Sequence, residues 1–182
     1  MSKGARFCKA EVMIISDEAS HELRVRPNWR FLLSHPAHFL SFGFGSGLAR
    51  FAPGTFGTLA AYPIYWYLAP RLTENQFMLF LALAFFIGIW ACGVTGRALG
   101  ISDYGGIVWD EIVAMLLVLF FTPQGGYWSL LAFALFRFFD IAKPPPIRHF
   151  DSNWHGGLGV MFDDLLAAGY ALLCMAAIKS LL

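Results

Sequence analysis

Long apolar runs constrain the fold of this chain more than any other feature of its sequence. Five runs, each about 13 to 23 residues long, approach the length that a helix needs to cross about 30 Å of hydrocarbon. They cover residues 55–69, 77–93, 107–121, 127–139 and 160–182. Residues 31–48 are a weaker candidate, since histidines, a proline and glycines interrupt them. The sequence therefore predicts an all-α, polytopic membrane helical bundle of about five spans, with room for one additional re-entrant or interfacial helix.

The composition excludes several classes of protein. Hydrophobic residues make up 58% of the chain and charged residues 14%, against about 45–50% and about 25% in ordinary soluble domains. So few charges cannot cover a soluble enzyme, and 19 Phe, 6 Trp and 6 Tyr supply too much apolar area for a disordered chain. The net charge of +1 gives no reason to expect a nucleic-acid partner. The sequence leaves the oligomeric state open.

Charged residues predict two regions and an orientation. Residues 1–30 are polar and lack the apolar core of a signal peptide, so we expect a cytoplasmic tail ahead of a membrane-embedded domain at 31–182. Eleven Lys and Arg residues fall on the side that holds the tail, and only Arg71 and Lys179 fall opposite. Because basic residues concentrate in cytoplasmic segments, that side is predicted to face the cytoplasm.

Carboxylates cluster on the same side, where we predict a shared polar site. Two adjacent pairs, Asp110-Glu111 and Asp163-Asp164, lie near the starts of apolar runs, and Asp140 follows a third. An isolated pair is explained by the helix dipole, which favours acids in a first turn. Five acids at three helix ends instead favour one site, because carboxylates at membrane depth persist mainly with a partner. Oxygen ligands suit Mg²⁺ or Ca²⁺ better than zinc.

A glycine-rich segment at residues 43–58 is a candidate anion site. It includes Gly45, Ser46 and Thr55 and directly precedes a predicted helix. Backbone N–H groups in such a segment, with Arg50 beside them, are able to bind an anion at the helix N-terminus. Close packing of membrane helices through small residues explains the same glycines equally well.

Basic residues near Asp140 are candidate phosphate ligands. Arg137, Asp140 and Lys143 share one face if the helix continues, and Arg148 follows three prolines that must end it. Snorkelling to the membrane surface is the common alternative for any single one of these bases. His155 lies in a loop and is a candidate acid, base or phosphate donor, although a lone loop histidine is more often structural.

Four blocks of the chain resemble the bacterial phosphatidylglycerophosphatase A family. They are GFGSGLA at 43–49 with PGT at 53–55, IVWDE at 107–111, FDIAKPPPIR at 139–148, and HGGLGVMFDD at 155–164. The resemblance runs from about residue 38 to the last apolar run, so the first 30 residues lie outside it. It implies a Mg²⁺-dependent hydrolase of phospholipid biosynthesis, a multi-pass enzyme of the bacterial inner membrane. Such an enzyme removes the terminal phosphate of phosphatidylglycerophosphate to give phosphatidylglycerol.

The resemblance also implies roles for particular residues. The family's acidic positions correspond to Asp110, Glu111, Asp140, Asp163 and Asp164, and its basic positions to Arg137, Lys143 and Arg148. We expect Asp110, Glu111, Asp163 and Asp164 to hold Mg²⁺. The three bases, with Arg50 and the backbone around Gly45, Ser46 and Thr55, would then hold phosphate oxygens.

Three alternatives stay open at this point. The nucleophile is either water or a carboxylate that forms an aspartyl-phosphate. A second alternative is a different enzyme that acts on a membrane phosphoester, such as a CDP-alcohol phosphotransferase. The Asp-Gly-x-x-Ala-Arg signature of that family is absent from this sequence. A cation transporter or channel would use the carboxylates as an ion pathway, but the acids lie on one face only and residues 77–93 hold no Asp, Glu, Lys, Arg or His.

Overall fold

The computed structural model describes residues 27–101, 103–145, 147 and 156–181. Within these residues every regular element is a helix, which confirms the all-α prediction. The helices are α1 Trp29–Ser34, α2 Pro36–Ser41, α3 Pro53–Leu68, α4 Glu74–Leu99, α5 Trp109–Phe121, α6 Gly126–Ala142 and α7 Gly157–Leu181, with a 3₁₀ segment at Gly43–Leu48. Each of the five predicted apolar runs overlaps one of the helices α3 to α7.

Two of the helices in the described chain are long and apolar enough to cross a membrane. They are α4, with 26 residues, and α7, with 25. Helices α3, α5 and α6 contain 16, 13 and 17 residues, which correspond to about 20–26 Å. The fold thus supports two candidate spans directly, and the count of five stays a prediction.

The segment before α3 is too short in each of its elements to span a bilayer. Helices α1 and α2 contain six residues each, or about 9 Å apiece. The α2 residue His38 contacts Thr95 of α4, with 3.0 Å between Nδ1 and Oγ1. The Thr95 hydroxyl donates to Ser41 Oγ at 3.1 Å, and the Ser41 carbonyl accepts the Val108 N–H at 2.8 Å. This network fixes α2 against α4 and against the start of α5.

Helix α5 forms the centre of the bundle. It contacts α3, α4, α6 and α7, and nine of its 13 residues are buried. Its side chains include the fully buried Ile112, Met115 and Leu116. A helix that is apolar all round belongs in a core rather than on a surface. The Asp110-Glu111 pair is therefore carried by the most enclosed helix of the fold.

Close contacts bring one end of each long helix together. Gly54, in the first turn of α3, approaches both Glu111 of α5 and Arg137 of α6. At the start of α7, a Cβ on Gly157 would lie 1.9 Å from the Ile89 carbonyl oxygen of α4. The starts of α3, α5 and α7 therefore lie beside the C-terminal halves of α4 and α6, and we call this the polar end of the bundle.

Candidate active site

Three carboxylates meet at the polar end. Asp110 and Glu111 lie in the first turn of α5, and Asp164 lies in the second turn of α7. One oxygen from each lies within 4.8 Å of the other two. Asp110 is 7% exposed and Asp164 3% exposed. We call these three residues the carboxylate cluster, and their spacing is short enough for one small cation to contact all of them.

Arg137 links this cluster to the end of α6. Its Nη1 lies 2.6 Å from Asp140 Oδ2 and 3.5 Å from Glu111 Oε1. Asp140 follows Arg137 by three residues, a spacing that places both side chains on one helix face. The Arg137 side chain is 15% exposed, so a guanidinium is held inside the polar end between two carboxylates.

Lys143 departs from the expected continuation of the helix. Helix α6 ends at Ala142, and Lys143 is its C-cap in the left-handed conformation, with φ of 39°. This conformation costs a residue with a Cβ about 1–2 kcal/mol. Lys143 Nζ lies 2.6 Å from Asp163 Oδ2 of α7. The ion pair thus joins α6 to α7, and strained backbone of this kind is common at functional sites.

Asp163 has surroundings that differ from those of the carboxylate cluster. Besides Lys143, its Oδ1 accepts the Asp164 N–H at 3.1 Å. Asp163 still interacts electrostatically with Asp110 and Asp164. The role of Asp163 as a metal ligand stays a prediction. Its ion pair with Lys143 is part of the structure.

Three atoms of the site are buried without a hydrogen-bond partner in the described part of the chain. They are Glu111 Oε2, Asp164 Oδ2 and Arg137 Nε. Buried polar atoms normally have partners, so orphans of this kind point to a missing ligand. Two carboxylate oxygens suit a hard cation, and one guanidinium N–H suits an anion such as phosphate.

The balance of charges in the site also favours a bound cation. Five carboxylates, Asp110, Glu111, Asp140, Asp163 and Asp164, lie close to the cations Arg137 and Lys143. An excess of buried negative charge is unfavourable unless a further cation offsets it. The all-oxygen donor set therefore fits Mg²⁺, and it contains neither the thiolate nor the imidazole that zinc prefers.

The remaining predicted site residues have the following positions. Ser46 donates to the Gly43 carbonyl at 2.9 Å, and Gly45 lies against the Trp29 ring. Arg50 is exposed and lines a cavity of about 380 Å³, while Thr55 follows Gly54 in the first turn of α3. Arg148 and His155 lie outside the described residues. The roles proposed for these six residues stay predictions.

Gly54 lies within the predicted anion segment at residues 43–58, but the sequence reasoning did not single it out as a site residue. A Cβ at this position would lie 2.1 Å from Glu111 Oε1 and 3.0 Å from Arg137 Nη1. The available signal was its place directly after a proline at the start of a helix, where the backbone amides are free to face an anion.

The polar network behind the site was missed as well. His38 and Ser41 interact with Thr95 inside the fold, and all three residues are buried. Burial lowers the pKa of His38 below its ordinary value of 6.5, and the neighbouring His35 lowers it further. A neutral imidazole is thus built into the packing of α2 on α4.

A bundle of apolar helices that encloses carboxylates and cations at one end defines a class that includes both membrane enzymes and ion-transport proteins. The sequence profile of the phosphatidylglycerophosphatase A family matches residues 39–179. The chain belongs to this family, and the prediction that it is an enzyme is confirmed. The transporter alternative is not favoured.

Three relatives illustrate the similarity. Phosphatidylglycerophosphatase A of Haemophilus influenzae is 46% identical over 154 residues, which cover 84% of this chain and 94% of the relative. Phosphatidylglycerophosphatase A of Escherichia coli is 44% identical over 139 residues, or 76% and 80% of the two chains. A Bacteroides thetaiotaomicron protein, named provisionally as a phosphatidylinositol-3-phosphatase, is 40% identical over 144 residues, or 75% and 89%. No solved structure matches this chain significantly.

Proposed function

We propose that the protein hydrolyses the terminal phosphomonoester of phosphatidylglycerophosphate, releasing phosphatidylglycerol and inorganic phosphate. The observation that carries this proposal is the carboxylate cluster, whose oxygens lie within 4.8 Å of one another inside an apolar bundle. Membership of the family supports the substrate, since two relatives that are 46% and 44% identical to this chain are named as phosphatidylglycerophosphatase A.

Mg²⁺ is the cation that we assign to the cluster. Asp110, Glu111 and Asp164 would hold it, and Asp163 is the fourth predicted ligand. When bound, the ion supplies positive charge that polarises the phosphoryl group. The unpartnered Glu111 Oε2 and Asp164 Oδ2 support this assignment.

The bases of the site orient the phosphate. Arg137 keeps Nε free of protein partners in the described chain while Asp140 holds its Nη1, so the guanidinium is pre-oriented and retains a donor for a phosphate oxygen. Lys143, held by Asp163, places a second positive charge nearby. Phosphoryl transfer depends mainly on positioning and electrostatic stabilisation, which these fixed charges supply.

Two routes of hydrolysis differ in the nucleophile that attacks phosphorus. In one, a carboxylate accepts a proton from water as the water oxygen bonds to phosphorus and the lipid alkoxide leaves. In the other, an aspartate oxygen bonds to phosphorus as the lipid alkoxide leaves and takes up a proton, and water later cleaves the aspartyl-phosphate to release inorganic phosphate. Phosphate trapped on the protein after an acid quench would establish the second route, whereas inversion of configuration at a chirally labelled phosphorus would establish the first.

The proposed cellular location of the enzyme rests on its apolar helices. We propose a multi-pass protein of the bacterial inner membrane with about five spans and with the polar end facing the cytoplasm. The two long apolar helices support membrane insertion, and the distribution of Lys and Arg supports the orientation.

The test is phosphate release by the purified protein in detergent, with Mg²⁺ and with excess chelator. We expect release from phosphatidylglycerophosphate that Asp164→Asn abolishes, whereas the control Glu74→Gln, which changes an exposed acid in the first turn of α4, retains it. Mg²⁺ should also raise the Tm of the unmodified protein more than that of Asp164→Asn. Release from phosphatidylinositol 3-phosphate alone, or release unaffected by chelator, would contradict the proposal.

A further inference from the structure

An open apolar groove lies between α3 and α6. Its volume is about 660 Å³. Leu59, Tyr62 and Trp66 of α3 form one wall, Leu130 and Phe133 of α6 form the other, and Leu119 of α5 lies at its base. Trp66 and Leu130 are 66% and 68% exposed. Contiguous exposed apolar surface of this kind marks a binding groove or a lipid contact.

The same two helices build the groove and part of the candidate active site. Leu59 follows Gly54 by five residues on α3, and Phe133 precedes Arg137 by four residues on α6. The spacing on α6 puts Phe133 on the same helix face as Arg137. The groove therefore begins about 6–8 Å from the Gly54–Arg137 contact and reaches about 18 Å from it at Trp66.

This depth matches the acyl region of one leaflet. A bilayer core is about 30 Å thick, so the chains of one leaflet extend about 15 Å from the interface. The polar atoms of the groove favour an apolar occupant as well. The hydroxyls of Tyr62, Thr122 and Ser129 donate to backbone carbonyls of the protein at 2.7, 2.7 and 3.1 Å. The amide side chain of Gln124, which also lines the groove, lies in the connection between α5 and α6, so the walls formed by α3 and α6 are mainly carbon.

We propose that this groove binds one acyl chain of the lipid substrate while the terminal phosphate lies at the carboxylate cluster. The proposal rests on the function proposed above and adds the part of the substrate that sets affinity. A second apolar groove, of about 440 Å³, is lined by α3, α4 and α5. The helix that carries Arg137 lines the first groove and not the second, so we assign the chain to the first.

The test fills the groove and compares two substrates. Leu130→Trp and Leu59→Trp each place an indole in the groove from opposite walls, and Leu173→Trp is the control on α7, where the side chain is 70% exposed. The substrates are dioleoyl phosphatidylglycerophosphate and glycerophosphoglycerophosphate, which has no acyl chain. Phosphate release gives KM for both, and Tm identifies variants that fold.

We expect each groove variant to raise KM for the diacyl substrate about tenfold more than KM for the chain-free one, because two or three methylene groups lose their burial. The control should leave the ratio of the two KM values unchanged. An unchanged ratio in both folded groove variants would overturn the acyl-chain site while the phosphatase function stands. Failure of the unmodified protein to release phosphate from either substrate would instead refute the proposed function, and this inference with it.

Discussion

Replacing Gly54 by alanine is expected to disable the site without unfolding the protein. The added Cβ would lie 2.1 Å from Glu111 Oε1, whereas real Cβ contacts essentially never fall below 3.0 Å. Glu111 Oε1 must therefore move by about 1 Å, and a displacement of that size within a catalytic site costs about 100-fold in rate. Arg137 Nη1 and Nη2 lie 3.0 and 3.2 Å from the same Cβ, so the ion pair must shift with the carboxylate.

The stability of the Gly54→Ala variant should change little. The atoms that the new Cβ meets are the ends of flexible side chains, which yield more readily than backbone. Alanine also favours the helix over glycine by about 1 kcal/mol in a helix interior, and by less in the first turn where residue 54 lies. We therefore expect a Tm within a few degrees of the unmodified protein and a drop of about 100-fold in kcat/KM for phosphatidylglycerophosphate.

Gly169→Ala is the matched control for this experiment. Gly169 lies in the interior of α7, and a Cβ there would meet open space, so this variant should keep its activity, and its Tm should rise by a few degrees at most because alanine favours the helix by about 1 kcal/mol. Phosphate release and thermal unfolding are measured on all three proteins in the same detergent. A folded Gly54→Ala variant with the activity of the unmodified protein would refute the reasoning that the α3 backbone positions Glu111.

Three further predictions concern packing, charge and pH. Gly157→Ala should destabilise the fold by about 3 kcal/mol, measured by Tm, because its Cβ would lie 1.9 Å from a backbone oxygen of α4 that cannot move freely. Lys143→Met should lower phosphate release at least tenfold, more than Lys143→Arg does, because Asp163 loses a cation at 2.6 Å. Stability should fall as pH drops below about 6.5, since burial and His35 lower the pKa of His38 in the folded state and the unfolded chain then binds more protons. Thermal unfolding between pH 8 and 5 should show a shallower loss for His38→Gln.

Each of the three has an outcome that contradicts it. An unchanged Tm for Gly157→Ala would mean that α7 does not approach α4 closely. Equal activities for the methionine and arginine variants of Lys143 would show that its charge is not needed. Parallel pH profiles for His38→Gln and the unmodified protein would place the titration on another group.

The helices could be predicted because uninterrupted apolar sequence leaves few alternatives. In hydrocarbon the backbone must satisfy its own hydrogen bonds, and a helix does so within a single segment. The ends were harder to predict, since α4 continues from the predicted limit at residue 93 to Leu99. Its last turns contain Thr95, Gly96 and Arg97, which weaken the apolar pattern, and Thr95 contacts His38 and Ser41.

The carboxylates of the candidate site were predictable from the sequence, but their contacts were not. Acidic pairs stand out in a chain with 14% charged residues, so Asp110, Glu111 and Asp164 could be found by composition alone. The distance between Gly54 and Glu111 depends on how helices more than 50 residues apart pack, which a local pattern does not encode. The direction of Lys143 depends on a left-handed backbone that lysine rarely adopts.

The enclosed position of α5 has a consequence for biogenesis. The ribosome completes the acidic pair of α5 before it makes Arg137, which lies 26 residues beyond Glu111. During that interval α5 has neither its basic partner nor the cover of α6 and α7. A nascent chain that ends after α5 should therefore be held poorly by the membrane and degraded rapidly, whereas one that extends through α7 should persist.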